Sequence, residues 1–428
     1  MTGPSGKLPS GSGRSYVPPS RIAWWMPVLL GVLTAVGPIS TDIYLPAFPA
    51  MMRSLHTSLG SVQMTLSVWF AGLAIGQLTV GPLSDALGRR RPMIAGNLLF
   101  AVASAVCAWA PDITTFSIAR FVASIGASAS LVVPTACVRD MVPDRTAGAR
   151  MMSRLVVVMG VVPVLAPMLG GLVVTLVSWR VIFWASAVYG LVCALLVLRF
   201  LPETLPRGRR YRLSPWVFAE RYKLLLLNRM FLSHAMTGSF STFMSFSYLT
   251  AASPVFILDF GFTPFQFSML FGVFAVFMIG ASRWNGSLVT RVDPGRVLTL
   301  SVYVALVGCM VLMGISVWDS LFPGQPGHPK AEFQAFLTIV AMIVALGATG
   351  LIYPNATMGA LSDFPHLAGA ASALSGTLQY VMGAIAGTVV GSLPGGTSLP
   401  MAAGMLAGAA GMLIAARFRP AAAAKSGP

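Results

Sequence analysis

Two charged residues lie deep inside apolar stretches of the sequence. Asp42 lies in an apolar run over residues 23–49, about six residues before the outer end of that run near Phe48. Arg120 lies about six residues into the run over 114–137. If both runs are membrane helices, both charges lie roughly 9 Å inside, at a rise of about 1.5 Å per residue. A charge at that depth costs at least about 2.5–3.5 kcal/mol and usually has a function.

A carboxylate that faces a partly dry cavity binds and releases a proton as its surroundings change, and a nearby cation tunes that exchange. We therefore predict that Asp42 is a proton-coupling acid and that Arg120 is the cation that senses its charge. The alternative is a structural salt bridge between the two residues that only fixes how two helices pack.

A segment rich in glycine and arginine follows the second apolar run, over residues 81–91. Its glycines permit a tight turn and close helix approach. The acid of this segment, Asp85, can pair with the neighbouring arginines, with Arg139 or with a helix N-terminus. We predict a conformational latch that holds two halves of the protein together in one state and releases in the other. The alternative is a solvated turn. The latch residues are Gly81, Asp85, Gly88, Arg89, Arg91 and Arg139.

The fifth apolar run combines prolines with small residues, namely Pro163, Pro167, Gly170 and Gly171. Prolines kink helices and small residues let helices approach closely. The pattern therefore predicts a bent, closely packed helix. Its spacing fits a functional bend and the ordinary glycine and proline enrichment of membrane helices equally well.

A pocket for varied apolar ligands needs soft and aromatic side chains, and the chain has 24 Met and 25 Phe. Tyr44 and Phe243 are our candidates for contact with a ligand. The cysteines and histidines are scattered singly, so the sequence predicts neither a disulfide framework nor a metal site.

The composition defines the class of protein that holds these residues. Of 428 residues, 56% are apolar and 9% are charged, whereas soluble proteins carry about 25% charged residues. This excludes soluble and disordered classes and predicts an all-α polytopic membrane protein. The net charge of +16 would suggest nucleic acid in a soluble protein, but in a membrane protein it reports topology.

Runs of about 20 apolar residues, the length that crosses a bilayer, predict twelve transmembrane helices. Most of the 28 Lys and Arg fall on one side if both termini are cytoplasmic, as the positive-inside rule requires. The predicted spans are 23–49, 62–83, 92–110, 114–137, 152–175, 181–200, 229–250, 265–283, 297–317, 333–354, 369–392 and 399–416.

The chain also divides into two halves. A basic, proline-containing segment follows the sixth span, and residues 286–296 are a faded copy of residues 81–91. Such halves are typical of transporters built from repeats. The predicted organisation is a disordered cytoplasmic tail over 1–22, a six-helix bundle over 23–200, a cytoplasmic linker over 201–228, a second six-helix bundle over 229–417, and a cytoplasmic tail over 418–428.

Several motifs in order along nearly the whole chain resemble the major facilitator superfamily, and within it the proton-coupled drug exporters of the Bcr/CflA (bicyclomycin and chloramphenicol resistance) branch. The segment 81–92 resembles the superfamily's loop between helices two and three. The segment 40–46, Ser-Thr-Asp-Ile-Tyr-Leu-Pro, resembles the branch's first-helix signature. Further similar segments are 166–171, 179–184, 202–204, 253–256, 354–356, 369–374 and Gln379.

This resemblance implies the major facilitator fold and export of amphipathic drugs or antibiotics by proton antiport with alternating access. Arg120 matches the arginine of the superfamily's fourth-helix motif, although Ala123 stands where that motif often has glutamine. The resemblance also implies that the fifth-helix motif prevents proton leak.

The alternative function is transport of a physiological metabolite by the same fold. A membrane-embedded enzyme or an ATP-driven pump is not supported, because the sequence has no HExxH motif and no P-loop. We expect a monomer in the bacterial inner membrane that handles drugs and protons without cofactor or nucleic acid, with a proton gradient as its energy source.

Overall fold

The computed structural model describes residues 25–141, 151, 162–163, 165–206, 208, 210, 215–322, 329–364, 367–393 and 397–420. Within these ranges the chain forms helices and turns and contains no strand. This agrees with the predicted all-α class.

The N-terminal half begins with a span that is broken into short helices, followed by four long helices and one shorter apolar helix. Its helices are α1 (Met26–Thr34), α2 (Val36–Thr41), a 3-10 turn (Leu45–Ala47), α3 (Phe48–Ser54), α4 (Leu59–Leu87), α5 (Arg90–Trp109), α6 (Ile113–Met141), α7 (Leu165–Leu176) and α8 (Trp179–Phe200).

The segment after α8 contains a further helix, and six long helices follow in the C-terminal half. They are α9 (Pro215–Leu227), α10 (Arg229–Pro254) with a π-helical turn (Val255–Asp259), α11 (Pro264–Leu288), α12 (Pro294–Leu321), α13 (Pro329–Ser362), α14 (Ala368–Ser392) and α15 (Leu399–Arg417).

Eleven stretches of the described chain are long and apolar enough to cross a membrane. They correspond to eleven of the predicted spans. The remaining predicted span, 152–175, coincides in its second part with α7, while most of its first part lies outside the described residues. The total of twelve stays a prediction.

Polar residues in the short connections start several of these helices. Ser58, Ser178 and Asn228 accept hydrogen bonds from backbone N–H groups at the starts of α4, α8 and α10. Thr263 and Gln266 form a reciprocal capping box at the start of α11. These caps satisfy backbone donors that have no partner within the helix.

The helices pack as two groups that meet along α4 and α14. In the first group α4 and α5 contact α6, and α5 contacts α8; in the second, α10 contacts α13, α14 and α15. We call the end of the molecule that carries Arg89, Glu203, Asp293 and Arg419 the basic face. The other end, which carries Ser58 and Thr263, is the opposite face.

Candidate functional site

The first span is interrupted at its middle, and Asp42 lies at the interruption. The span covers 29 residues, Met26–Ser54, so it extends beyond the predicted end at residue 49. Asp42 therefore lies near the centre of the span rather than close to its end. Helix α2 stops at Thr41, and Asp42 follows as its C-terminal cap, with its backbone N–H 2.8 Å from the Pro38 carbonyl oxygen.

The Asp42 carboxylate is buried, with 8% of the residue exposed. The Thr41 hydroxyl donates a hydrogen bond of 2.8 Å to Oδ1 of Asp42. Across the part of the chain that the structure describes, Asp42 forms no ion pair. A buried carboxylate with one neutral hydrogen-bond donor has no fixed cation that would hold it in the charged form.

Arg120 reaches the same depth but does not contact Asp42. Its Nη2 donates to the carbonyl oxygen of Ser40 at 3.0 Å. Its guanidinium carbon lies 4.5 Å from the Tyr44 ring centroid and 4.2 Å from that of Trp69, with Phe183 at 5.7 Å. The alternative, a structural salt bridge between Asp42 and Arg120, is therefore not formed among the described residues of this structure.

The physical reason that Arg120 does not pair with Asp42 is a cage of aromatic rings around its guanidinium group. Arg120 is 2% exposed, and cation–π attraction to several rings partly replaces the lost hydration of its charge. The broken first span supplies the Ser40 carbonyl as an acceptor. The sequence gives little sign of this cage, because its rings come from three separate membrane spans that share only their apolar character.

The two candidate ligand-binding aromatics are both buried. Tyr44 is fully buried, its hydroxyl lies 3.2 Å from the Thr65 hydroxyl, and its ring packs against Phe48 and Phe183. Phe243 is 8% exposed within α10. The ring of Tyr44 supports Arg120, and contact of Tyr44 with a ligand stays a prediction. Phe243 is not among the residues that line the cavity between the two helical halves.

The two halves pack closely toward the opposite face. Gln63 on α4 donates to the Thr250 carbonyl oxygen on α10 at 3.0 Å. A methyl group added at Gly387 on α14 would overlap the Ser67 hydroxyl on α4. The Ser67 and Thr250 hydroxyls are buried without a hydrogen-bond partner in the structure. This contact closes the opposite face.

The fifth-helix motif takes part in the same closure. Pro167 is buried in α7, whereas Pro163 precedes that helix and is half-buried. A Cβ atom at Gly170 would overlap the Ile43 carbonyl, beside Asp42. A Cβ atom at Gly171 would overlap the hydroxyl of Ser268 on α11 in the other half. The two glycines therefore bring α7 against both the first span and the C-terminal half.

Aromatic rings from both halves stack below this closure. The Phe70 and Phe246 ring centroids lie 3.8 Å apart with an interplanar angle of 10°, and Tyr380 continues the stack at 6.3 Å from Phe70. Gly383 leaves room for the Phe246 ring, because a Cβ atom there would overlap it. The stack separates the closed face from a cavity on its other side.

The cavity between the halves has a volume of about 110 Å³. It is lined by residues of α4, α13 and α14, and it extends from the aromatic stack toward the basic face. The Thr357 and Ser375 hydroxyls in its wall have no hydrogen-bond partner in the structure. The lining, which contains no charged side chain, is Gln77, Tyr353, Thr357, Leu361, Ser372, Ser375, Gly376, Gln379 and Tyr380.

The predicted latch forms an ion-pair network at the basic face. Arg89 is buried and pairs with Asp85 and with Asp140, the latter at 2.8 Å, and donates to the Ser84 hydroxyl. Burial works against this charge, but the hydrogen bonds and attraction of Asp140 and Asp85 raise the pKa of Arg89. Glu203 accepts a 2.8 Å bond from the Arg89 backbone N–H.

The remaining residues of the predicted latch agree with the prediction only in part. Gly88 has φ of 91°, which suits the tight turn, but a Cβ at Gly81 would meet open space, so close helix approach there is wrong. Arg91 and Arg139 are exposed. Asp85 pairs with Arg89 rather than with Arg139, whose Nη1 lies 3.7 Å from a Cβ built on Gly369 of the other half. Among the described residues, the other hydrogen bonds and ion pairs of the network stay within the N-terminal half and the segment after it.

Groups of His, Cys, Asp or Glu able to hold a metal ion are absent from the described residues. The four cysteines are all buried and unpaired. A broken membrane helix with a buried acid, a cavity between two helical halves and a closed face opposite to it define a membrane transporter.

The comparisons with known proteins identify its family. Residues 30–387 match the family model described as Major Facilitator Superfamily. The chain belongs to the major facilitator superfamily, and it is a multi-pass protein of the bacterial inner membrane.

Relatives with drug-resistance names support the predicted branch. The chain is 31% identical over 372 residues to a bicyclomycin resistance protein homolog of Haemophilus influenzae, covering 87% of this chain and 90% of the relative. It is 29% identical to a chloramphenicol resistance protein of Pseudomonas aeruginosa, covering 87% and 85%. An uncharacterized MFS-type transporter, YdgK of Bacillus subtilis, is 34% identical, covering 88% and 90%. The resemblance to the Bcr/CflA branch is thereby confirmed.

Solved structures show the same fold at lower sequence identity. A crystal structure of a D-xylose-proton symporter has a TM-score of 0.69 at 15% identity and covers 95% of this chain and 97% of its own. The xylose transporter XylE from E. coli, in a partially occluded inward open conformation, has a TM-score of 0.68 at 11% identity, covering 92% and 96%.

Proposed function

We propose that this transporter exports drugs across the inner membrane by proton antiport with alternating access. The observation that carries the proposal is Asp42, a buried acid at the centre of the first span and beside the closed face, which forms no ion pair with any residue that the structure describes. Both termini and the basic face are cytoplasmic in this proposal, as the positive-inside rule predicts.

The arrangement supports a simple cycle. With the opposite face closed, a drug enters the cavity from the cytoplasm while Asp42 gives up its proton. When the closed face opens, the drug leaves and Asp42 takes up a proton from outside. Arg120 acts through the Ser40 carbonyl and thus fixes the broken span that presents Asp42.

The latch acts at the other end of the cycle. When the opposite face opens, the basic face must close, and the Asp85 and Arg139 side chains then lie at the junction between the halves. Arg139 already lies beside Gly369 on α14. The Arg89 network holds its turn rigid against the bundle, so that the turn moves with the N-terminal half as one body.

The cavity wall defines the class of drug. Amides from Gln77 and Gln379, several hydroxyls and two tyrosines offer hydrogen bonds and ring contacts. Because no charged side chain lines this cavity, the substrate we propose is a neutral molecule with both polar and aromatic or aliphatic parts. The drug-resistance names of the relatives support such a substrate.

The coupling test uses everted membrane vesicles with a drug such as chloramphenicol and an imposed pH gradient. We expect Asp42→Asn to abolish drug movement driven by the gradient while drug exchange without a gradient persists. Glu220→Gln is the matched control, because it neutralises an exposed acid on α9. Gradient-driven transport by Asp42→Asn at the wild-type rate would show that Asp42 is not the coupling acid.

A second candidate function is transport of a polar, neutral metabolite. The density of hydroxyl and amide groups around the cavity favours it. Expression in a pump-deficient bacterium separates the two functions. Resistance to a panel of drugs supports export of drugs, whereas resistance to none together with pH-dependent uptake of a nutrient supports the metabolite.

A further inference from the structure

A second, larger cleft opens at the basic face within the C-terminal half. It has a volume of about 850 Å³ and lies between the ends of α10, α12, α13 and α15, away from the cavity between the halves. Its wall combines basic and apolar side chains. Those used in the argument below are His234, Arg296, Leu300, Met358 and Arg419, together with the acid Asp293.

Arg419 lies in this cleft with an incomplete set of partners. Its Nη1 donates to the Gly295 carbonyl oxygen at 3.5 Å. Its Nε and Nη2 atoms are buried and have no hydrogen-bond partner among the residues that the structure describes. Burial lowers the pKa of Arg419, an effect that Asp293 partly offsets. Buried donors on a charged group without acceptors are costly, so an anion at this position would stabilise Arg419 by accepting hydrogen bonds from them.

His234 supplies a second, independent buried polar group in the same cleft. It is 7% exposed, and its Nδ1 atom is also buried without a partner. Its ring packs against the backbone of Gly359, where a Cβ atom would overlap it. The wall of one cleft thus presents unsatisfied polar atoms from two helix ends.

The N-terminal half shows what a completed site looks like. There a smaller cleft of about 400 Å³ is lined by Arg89 together with Asp85 and Asp140. These acids neutralise Arg89 through direct ion pairs. In the faded repeat of the C-terminal half, Thr290 stands at the position that corresponds to Asp85. The C-terminal half therefore lacks an acid that its counterpart uses.

Asp293 is the one acid in the wall of the C-terminal cleft, and it already accepts a hydrogen bond at the start of a helix. Asp293 caps α12, with Oδ2 accepting from the Arg296 backbone N–H at 3.1 Å. Among the described residues, Asp293 forms no ion pair with Arg419, since no carboxylate oxygen of Asp293 lies within 4.0 Å of a guanidinium nitrogen of Arg419. Two arginines against one acid leave the cleft with a net positive charge.

We propose that this cleft binds the headgroup of an anionic phospholipid, with the phosphodiester accepting hydrogen bonds from Arg419. The phosphate oxygens would satisfy Nε and Nη2, and Arg296 adds a second positive charge. Exposed apolar side chains of Leu300 and Met358 give the lipid's glycerol and acyl region a surface to contact. Basic clefts between membrane helices on the cytoplasmic side suit such headgroups. The site is separate from the proposed transport pathway and does not depend on it.

The test measures lipid binding to the purified, delipidated full-length protein, by native mass spectrometry and by thermal stabilisation in detergent. The lipids are phosphatidylglycerol and zwitterionic phosphatidylcholine, and the soluble probes are glycerol 3-phosphate and inorganic phosphate. We expect phosphatidylglycerol to bind tightly and Arg419→Gln to weaken its binding about tenfold, since paired hydrogen bonds from arginine to phosphate are strong.

Arg417→Gln is the matched control, because it removes one charge from an exposed side chain at the same helix end. We expect it to change binding less than twofold. Equal losses in both variants would show non-specific attraction and overturn the proposal. Equal stabilisation by glycerol 3-phosphate or inorganic phosphate would identify a soluble anion and overturn the assignment to lipid. If Arg419→Gln does not fold, Arg419→Lys keeps the charge without the forked donors, and undiminished binding by it would overturn the proposed geometry.

Discussion

Substitution of Gly171 by alanine should disturb the closed face in a way that can be calculated from the structure. The added Cβ atom would lie 2.9 Å from the Pro264 carbonyl oxygen and 3.2 Å from Cβ of Ser268, besides overlapping the Ser268 hydroxyl. Ordinary contacts begin near 3.4 Å. Helices α7 and α11 must therefore separate by roughly 0.5 Å or more, and overpacking of this kind costs about 1–3 kcal/mol.

This cost applies only when the opposite face is closed, because α7 and α11 belong to different halves. The ratio of closed to open molecules should therefore fall about 5- to 150-fold. Spin labels at Val177 and Ser392, two exposed sites at the opposite face, report that ratio by pulsed electron spin resonance. The native cysteines are buried and do not compete for the label.

The control is Gly280→Ala on α11, where an added Cβ atom meets nothing within 4 Å. Adding Ser268→Ala to Gly171→Ala should restore part of the closed population, since it removes the nearest obstructing atom. If Gly171→Ala gives the same distance distribution as Gly280→Ala, close packing of α7 on α11 does not control the closed face, and the reasoning fails.

Three further predictions concern stability. Arg120→Lys should lower the melting temperature in detergent, because lysine keeps the charge but loses the planar group that stacks between Tyr44 and Trp69, at a cost of about 1–2 kcal/mol. Gly88→Ala should also destabilise the protein, by about 1–3 kcal/mol, because φ of 91° with ψ of 166° suits glycine alone. Asp112→Ala should destabilise it at neutral pH, since hydrogen bonds from Thr115 and Thr114 lower the pKa of Asp112, and the difference should shrink as the pH falls below about 4.

A different result would contradict each of these three predictions. A melting temperature of Arg120→Lys equal to that of wild type would show that stacking contributes nothing. For Gly88→Ala the comparison is Gly81→Ala, where a Cβ atom meets open space and no loss is expected. Equal losses at both glycines would contradict the backbone argument. A constant difference between wild type and Asp112→Ala from pH 7 to pH 3 would exclude the ionised carboxylate as its cause.

Local patterns in the sequence were sufficient for the fold class and for most of the spans. Long apolar runs predict helices because a membrane leaves backbone groups no partner except one another. The turn at Gly88 and the arginines of the 81–91 segment were also visible, since a short-range pattern of glycine and charge defines a turn.

The partners of the charged residues were not visible in this way. Depth along a helix placed Asp42 and Arg120 together, but the direction of each side chain depends on how helices rotate and where the first span breaks. In the folded protein Arg120 turns to Tyr44, Trp69 and the Ser40 carbonyl, and Asp42 forms no ion pair within the described part of the chain.

By itself, then, the sequence determined the membrane class, the family, the approximate spans and the presence of a rare acid at membrane depth. These follow from composition and from spacing along a single helix. Only the tertiary structure decided the aromatic cage around Arg120, the closure between α7 and α11, the hydroxyl-lined cavity and the unsatisfied cleft at Arg419. Each of these joins residues from separate helices, and their contacts depend on packing between helices, which periodicity along one helix does not encode.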